Sequence, residues 1–292
     1  MRSLVSRIRR IISGPPPRTP STPPPLPAPP RSEYFFLGEG LGLVRLLSGR
    51  LLYVDPLEQS VCAHLITSGG WETWTEQTVL RLLRPGDHVV EVGTHVGFYT
   101  VTMADRVGST GSVTAFEANP RLARLASQSL SVNGFSQWAE VRNQAVADTS
   151  GRLQLVTSRR QGGGGHLYVF DNIFGAETEL IDVDAVRLDD LDLPDVRFIR
   201  IDAEGSEPLI LRGATRLLAR PDIVLCIEWD VIQMGSRIDV PAFVSWLADQ
   251  GFRFWRICHD ASAKPVPAAE LSSLPACDLI VCRHDPFVSK TT

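Results

Sequence analysis

The sequence contains almost no lysine: only Lys264 and Lys290 are present among 29 basic residues. A phosphate-binding loop of the G-x-x-x-x-G-K-[ST] type needs a lysine after its second glycine, and the chain has no such pattern. A pyridoxal phosphate enzyme needs a lysine for its Schiff base. Since Lys264 lies in a proline-rich loop and Lys290 in the last few residues, the sequence argues against both classes of protein.

Paired cysteines and a basic stripe are missing as well. The five cysteines form no C-x-x-C pair, so we interpret them as small core residues of a protein in a reducing compartment, the cytoplasm. The formal net charge of −4 and the lack of a basic stripe argue against nucleic acid as a partner. The N-terminal segment lacks the long apolar core that a signal peptide or a membrane-spanning helix needs.

The first 32 residues differ in composition from the rest. Met1–Ser13 places four arginines among apolar residues, which is typical of a solvated basic tail or of a helix lying weakly on an anionic membrane surface. Prolines dominate residues 14–30, as in an extended spacer or a ligand for a proline-reading partner. We expect residues 1–32 to be disordered because this composition cannot form a core.

The segment Asp87–Gly97, DHVVEVGTHVG, is the centre of the predicted fold. His88–Val92 is predicted to be a short buried strand, because it is apolar and β-branched and follows a turn signal. The glycines Gly93 and Gly97 form the following turn, and Phe98–Ala104 has the character of a helix. A strand, a glycine turn and a helix open a nucleotide-binding βαβ unit, in which ligands lie at the carboxyl ends of the strands.

Two successive strands of this unit end in a carboxylate. Glu91 ends the first strand, and Glu117 ends a second, Gly111–Phe116. The turn has the spacing Gly93-x-x-x-Gly97 rather than the G-x-G-x-x-G of dinucleotide sites. S-adenosylmethionine carries a ribose diol and an ammonium but no phosphate, and therefore fits this pattern. The same glycines could also serve only for close packing of the helix.

Four segments together resemble the FkbM family of S-adenosylmethionine-dependent methyltransferases: EVGTHVGFYT, AFEANP, NQAVAD and LDDLDLPDVRFIRIDAEGSEPLILRGA. The family pattern has an acid-x-Gly-Ala-Asn/His-x-Gly turn, an F-E-P-N-P-like end to strand two and an I-D-V-E-G-x-E end to strand four. This chain departs from it at Glu91, Thr94 and Ala118, where Asp, Ala and Pro are commoner. None of these changes removes a needed functional group. The resemblance extends from about Gly70 to Asp230.

The resemblance implies an α/β fold of the Rossmann-like class I methyltransferase type. We expect a seven-stranded, mostly parallel sheet with helices on both faces, ending in an antiparallel pair near residues 253–258 and 277–283. Short apolar runs predict a small β-rich lead-in or cap in residues 33–75. The S-adenosylmethionine-dependent methyltransferase domain is then expected in residues 76–288.

The resemblance also implies which residues bind S-adenosylmethionine. They belong to the turn after the first strand and to the segments that follow the next three strands. The candidates are Glu91, Gly93, Thr94, His95, Gly97, Phe98, Tyr99, Glu117, Asn119, Asn143, Ala145 and Asp202.

Methyl transfer from a sulfonium is an in-line displacement, in which the protein aligns the nucleophile and excludes water. A hydroxyl nucleophile also needs a base, for which the strand ends offer His95, Asp202, Glu204 and Glu228. Enzymes that methylate exocyclic amines of bases commonly carry an Asn/Asp-Pro-Pro-Tyr/Phe turn where this chain has IDAEGSE. The sequence therefore favours an oxygen acceptor, and the family's common targets suggest a sugar, glycoside or secondary metabolite.

Residues for the acceptor side are less well defined. Glu72 stands where the family tends to keep an acid, and Trp71 and Trp74 are candidates for a lid or, equally, for core anchors. The glycine-rich stretch 158–176 could close over the substrate and supply His166, or could be an uncommitted surface loop.

Several alternatives stay open. Asp202, Glu228 and Asp230 could hold Mg²⁺, as in a magnesium-dependent sugar O-methyltransferase, although the resemblance requires no metal. Asp202 and Glu207 could instead cap a helix. A non-catalytic binding module with a proline-rich arm is a further alternative. An RNA methyltransferase is disfavoured because the chain has no basic stripe.

Overall fold

The computed structural model describes residues 32–160, 165–167 and 178–287. The basic tail, the proline-rich linker and most of the glycine-rich stretch lie outside the described residues. The strands are β1 (Glu33–Gly38), β2 (Leu41–Arg45), β3 (Leu51–Val54), β4 (His88–Val92), β5 (Ser112–Phe116), β6 (Ala139–Arg142), β7 (Ala145–Val146), β8 (Gly151–Ser158), β9 (His166–Leu167), β10 (Thr178–Val186), β11 (Val196–Ile201), β12 (Val224–Trp229), β13 (Arg253–Ile257), β14 (Ala263–Val266) and β15 (Cys277–Cys282).

The α-helices of the described residues alternate with these strands along much of the chain. They are α1 (Val61–Ser68), α2 (Thr73–Leu82), α3 (Phe98–Val107), α4 (Pro120–Val132), α5 (Glu207–Arg212), α6 (Thr215–Leu218), α7 (Val231–Gly235) and α8 (Val240–Asp249). None of these helices has the length and the apolar character needed to cross a bilayer.

The central sheet has the strand order β14-β13-β15-β12-β11-β4-β5-β6. Strands β12, β11, β4, β5 and β6 pair in parallel, and β15 pairs antiparallel with both β12 and β13. The predicted fold class and the final antiparallel pair are confirmed. The expected count of seven is wrong for this sheet, because β14 adds an eighth strand beside β13. Its sequence, AKPV, is short, and its proline is tolerated because β14 is an edge strand.

The central strands are buried on both faces, as their nearly continuous apolar sequences predict. Alternate residues of one strand belong to different apolar clusters. In β4, Val89 packs in the cluster that includes α1 to α4, and Val90 packs in the cluster that includes α5, α6 and α8. In β11, Phe198 and Ile199 divide in the same way. Helices therefore cover both faces of the sheet.

Two smaller sheets flank the parallel strands. Strands β1, β2 and β3 form an antiparallel sheet, which confirms the β-rich lead-in. The lead-in is tied to α4, since the Leu51 N–H donates to Asn133 and the Tyr53 N–H donates to Ser129. A four-stranded sheet in the order β7-β10-β8-β9 follows β6 in the chain. It places Ala145 and His166 near the carboxyl ends of the central strands.

Candidate active site

A cavity of about 630 Å³ opens at the carboxyl ends of the parallel strands. The turns after β4, β5 and β11 form its floor, and Glu228 comes from the end of β12. The lead-in contributes Trp71 and Glu72, and the four-stranded sheet contributes Ala145 and His166. This is the position at which open parallel sheets bind their ligands.

Most of the residues predicted from the sequence line this cavity. They are Glu72, Gly93, Thr94, His95, Phe98, Tyr99, Glu117, Asn119, Ala145, His166, Asp202, Glu204 and Glu228. The remaining candidates, Glu91, Gly97, Asn143 and Trp74, are not among the lining residues.

Glu91 lies behind the cavity wall. Its side chain is completely buried, accepts a hydrogen bond from the Thr100 hydroxyl at 2.5 Å, and lies 3.8 Å from the Arg200 guanidinium. Burial raises the pKa of Glu91 to about 7. Glu91 therefore contacts the side chains of Thr100 and Arg200, whereas the sequence predicted that it binds the cofactor.

The other three candidates that do not line the cavity also contact other parts of the protein. Asn143 donates to the carbonyl oxygens of Glu117 and Ala118 and so holds the turn after β5. The Trp74 ring lies against the His259 ring, with 4.4 Å between the ring centres and an angle of 42° between the planes, in agreement with a core anchor. Gly97 precedes α3 and packs against α4. Sequence spacing could not separate these roles from ligand contact.

The turn after β4 approaches the turn after β11 very closely. Gly93 has φ of +84°, and a Cβ atom on it would lie 1.6 Å from the Asp202 carbonyl oxygen. The Asp202 N–H donates to Val92, which joins the two turns directly. Two residues after Gly93, the His95 N–H donates to a Glu117 carboxylate oxygen at 2.7 Å. The turn therefore brings three strand ends together around the cavity.

Three cavity residues have a strained backbone. Of the five non-glycine residues with positive φ in the described ranges, Glu72 (39°), His95 (53°) and Glu204 (51°) line the cavity. The left-handed region costs a non-glycine residue roughly 1–2 kcal/mol, and such residues concentrate at functional sites. All three were candidates from the sequence, although their conformation could not be predicted from it.

Glu117 is held firmly at the end of β5. One carboxylate oxygen accepts the His95 N–H, and the other accepts the Asn119 N–H at 2.8 Å. Burial raises the pKa of Glu117 to about 7. Each oxygen has a second lone pair, so the carboxylate can still accept from hydroxyl donors in the cavity.

Three acids meet at the ends of β11 and β12. Carboxylate oxygens of Asp202, Glu204 and Glu228 lie within 4.8 Å of one another. Burial, followed by the charges of Asp202 and Glu204, raises the pKa of Glu228 to about 11. Burial and Asp202 raise the pKa of Glu204 to about 7. At neutral pH, Glu228 is therefore a neutral carboxylic acid, and its buried Oε2 atom has no hydrogen-bond partner among the described residues.

His95 and Glu72 lie elsewhere along the same cavity. Neither ring nitrogen of His95 has a hydrogen-bond partner among the described residues, and burial lowers the pKa of the imidazole. A neutral imidazole of this kind can accept a proton. Glu72 accepts from the Tyr99 hydroxyl at 3.2 Å, and burial and then Asp278 raise its pKa to about 7.

Arg200 is a site residue that the sequence interpretation missed. It lies within β11, is 3% exposed, lines the cavity and donates to Asp202 at 2.8 Å. Its signal was present in the strand VRFIRI, because an arginine in a buried strand is rare unless it is paired.

The other two predicted acids make structural contacts. Asp230 accepts the N–H groups of Ile232 and Gln233 and caps α7, so Glu204 takes its place beside Asp202 and Glu228. Glu207 is buried and accepts the Ala203 N–H at 2.8 Å. Ala203 lies in the turn before α5, so Glu207 stabilises this turn, whereas the structural role considered from the sequence was a cap on the helix itself.

A family model described as the methyltransferase FkbM domain matches residues 91–254 of the chain. No curated protein gives a significant match. Three solved structures are among those similar to this one. The FkbM methyltransferase from Methylobacillus flagellatus KT is 15% identical with a TM-score of 0.43, over 68% of this chain and 44% of that protein. The chain thus spans less than half of the Methylobacillus protein.

The other two structures are O-methyltransferases. The enzyme from Bacillus cereus, in complex with SAH, is 15% identical over 73% of this chain and 80% of that one, with a TM-score of 0.43. TomG from Streptomyces achromogenes, involved in tomaymycin synthesis and in complex with SAM, is 16% identical over 73% of this chain and 79% of that one, also with a TM-score of 0.43.

Proposed function

The chain belongs to the FkbM family of methyltransferases, and on that premise we propose that it is an S-adenosylmethionine-dependent O-methyltransferase. The proposed acceptor is a small molecule with a hydroxyl group: a sugar, a glycoside or a secondary metabolite. The observation that carries the proposal is the cavity at the carboxyl ends of the parallel strands, which is lined by carboxylates from β5, β11 and β12.

The cavity residues fit S-adenosylmethionine. Glu117 has free acceptor capacity that suits the ribose diol, and the acids around Asp202 suit an ammonium and a sulfonium. The Thr94 hydroxyl is buried, lines the cavity and has no partner among the described residues, so it is available to a ligand. When bound, the cofactor supplies an electrophilic methyl group on its sulfonium.

The residues of the chain would then align the acceptor and take its proton. Asp202, with Arg200 beside it, is the proposed base or orienting acceptor, and Glu204 and neutral His95 are the other proton acceptors. Glu228, expected from the sequence to be a candidate base, is proposed instead to donate a hydrogen bond to the acceptor through its protonated carboxyl. The lead-in, residues 33–75, is proposed to close one side of the cavity through Trp71 and Glu72.

Calorimetry should detect binding of S-adenosylmethionine or S-adenosylhomocysteine, and no binding of NAD. Glu117→Ala should weaken cofactor binding by roughly 1.5–3 kcal/mol, the contribution of hydrogen bonds to a charged group. Glu140→Ala is the matched control, since Glu140 is exposed on the next strand and pairs with Arg142. Tight NAD binding, or an unchanged affinity in Glu117→Ala, would contradict the proposed cofactor site.

The acceptor class can be tested with isotopically labelled S-adenosylmethionine and a panel of sugars, glycosides and amines. The carboxylates in the IDAEGSE segment lead us to expect transfer to hydroxyl groups. Transfer to amines alone would contradict an O-methyltransferase while leaving the family assignment intact.

A magnesium-dependent reaction is a second candidate, favoured by the 4.8 Å grouping of Asp202, Glu204 and Glu228. Oxygen ligands of this kind suit Mg²⁺ with water in its remaining positions. Because Glu228 is protonated at neutral pH, Mg²⁺ binding should release a proton. Calorimetry in buffers of different ionisation enthalpy would detect this release. Full activity in EDTA, without Mg²⁺ binding, would exclude this candidate.

The remaining proposals concern partners and location. We retain a weak membrane-surface contact of Met1–Ser13 and a cytoplasmic location, both inferred from composition. A non-catalytic binding module is less well supported, because the acids expected at the strand ends are present and line one cavity.

A further inference from the structure

Arg200 occupies a distinctive place among the cavity residues. Its register partner on β4 is Glu91, and its partner on β12 is Cys226. The cavity is lined by five carboxylates, and Arg200 is the only lysine or arginine among the lining residues that the structure describes. The acids are Glu72, Glu117, Asp202, Glu204 and Glu228. Arg200 is therefore the main fixed positive charge facing this group.

The guanidinium contacts three different elements. One terminal nitrogen donates to the Asp202 carboxylate at 2.8 Å, and the other lies 3.8 Å from Glu91. The guanidinium carbon is 3.7 Å from the centre of the Tyr99 ring, a cation–π contact. A buried guanidinium is stable only when it is paired, and a planar fork is suited to several partners at once.

These contacts link Asp202 with a second pair of cavity residues. Asp202 follows β11, and its carboxylate pairs with the positively charged Arg200 guanidinium. Tyr99 of α3 lies against Arg200 and donates its hydroxyl to Glu72, which precedes α2. The orientation of Asp202 and of the Tyr99–Glu72 pair therefore depends on the same guanidinium.

We propose that Arg200 is a positioning residue of the methyl-transfer site, which orients the Asp202 carboxylate and the Tyr99–Glu72 pair toward the acceptor. This role rests on the proposed function. Arg200 need not touch the acceptor or the cofactor, and it acts through Asp202 and Tyr99. Lysine would retain the charge but lose the planar fork, so it should restore the role only in part.

The test compares Arg200→Met and Arg200→Lys with the wild-type protein, using labelled S-adenosylmethionine and the hydroxyl acceptor that gives the highest wild-type rate. Arg200→Met should lower kcat by about 10–100-fold, because a misplacement of reacting groups by about 1 Å costs on the order of 10²-fold. Its KM for the acceptor and its affinity for S-adenosylhomocysteine should stay close to those of the wild type. Arg200→Lys should have an intermediate kcat.

Arg197→Met is the matched control. Arg197 lies three residues earlier in the same strand and forms a largely buried ion pair with Asp87 at 2.7 Å, but it does not line the cavity. Its replacement should lower the melting temperature and leave kcat nearly unchanged. A selective loss of kcat in Arg200→Met, with no such loss in Arg197→Met, would distinguish positioning from general stabilisation.

A double-mutant cycle with Asp202→Asn completes the test. If Arg200 acts through Asp202, Arg200→Met should cost far less in the Asp202→Asn protein than in the wild type. Arg200→Lys in the same background serves if the methionine variant does not fold. An unchanged kcat in Arg200→Met, or a loss that adds fully to that of Asp202→Asn, would overturn the proposal. A wild-type protein that does not bind S-adenosylhomocysteine would instead overturn the proposed function.

Discussion

Replacing Asp202 by asparagine should leave the protein folded and lower kcat by about 10²–10⁴-fold, the usual contribution of a positioned base. Asp202 follows a buried central strand, lines the cavity and is 31% exposed at its side chain. If the carboxylate acts mainly in the transition state, the loss will appear in kcat more than in KM for the cofactor. A parallel loss of cofactor affinity would indicate that Asp202 binds the cofactor ammonium. Steady-state kinetics and calorimetry on one variant separate these roles.

Glu228→Gln is the control that the structure offers for this experiment. Glutamine resembles a protonated glutamic acid in size and can donate a hydrogen bond. Since the pKa of Glu228 is raised to about 11, the substitution should retain most of the turnover at neutral pH. A loss as large as that of Asp202→Asn would show that Glu228 acts in its ionised form, as a base or a metal ligand. A fully active Asp202→Asn variant would contradict the assignment of Asp202 itself.

The second large effect is expected from Gly93→Ala. The added Cβ atom would lie 1.6 Å from the Asp202 carbonyl oxygen. Only a movement of the backbone can relieve this contact. The φ of +84° adds the cost of the left-handed region. We expect the free energy of unfolding to fall by more than about 4 kcal/mol, which is exceptional for one substitution. Denaturant unfolding measures the loss, and calorimetry should show that cofactor binding is lost in any folded fraction.

Gly134→Ala separates the two contributions. Gly134 also has positive φ, 77°, but nothing lies within 4 Å of the Cβ position. This variant should lose only about 1–2 kcal/mol, the cost of the backbone conformation, and should bind the cofactor normally. If Gly93→Ala were no less stable than Gly134→Ala, the contact between the β4 and β11 turns would not hold the site together.

The amino-acid sequence by itself determined the strands and the turns of the nucleotide-binding half. His88–Val92 and Val196–Ile201 are recognisable because a strand buried on both faces needs a continuous apolar run, and that need is local. The position of the acids at the strand ends followed from the same reasoning. Parallel topology brings those ends to one edge of the sheet, so the sequence is sufficient to place Glu117, Asp202 and Glu228 at that edge.

The tertiary structure alone decided how each of these groups is buried and paired. Glu91 has the same position in the strand pattern as a ligand-binding acid, yet its surroundings place it behind the wall. The protonation of Glu228 depends on acids that are distant in sequence, because electrostatic interactions depend on distance in space and on burial. The contacts of Arg200 arise in the same way, since Asp202, Glu91 and Tyr99 reach it from different segments of the chain. Local patterns specify elements, whereas charge, contact and access to the cavity arise only when separate elements pack together.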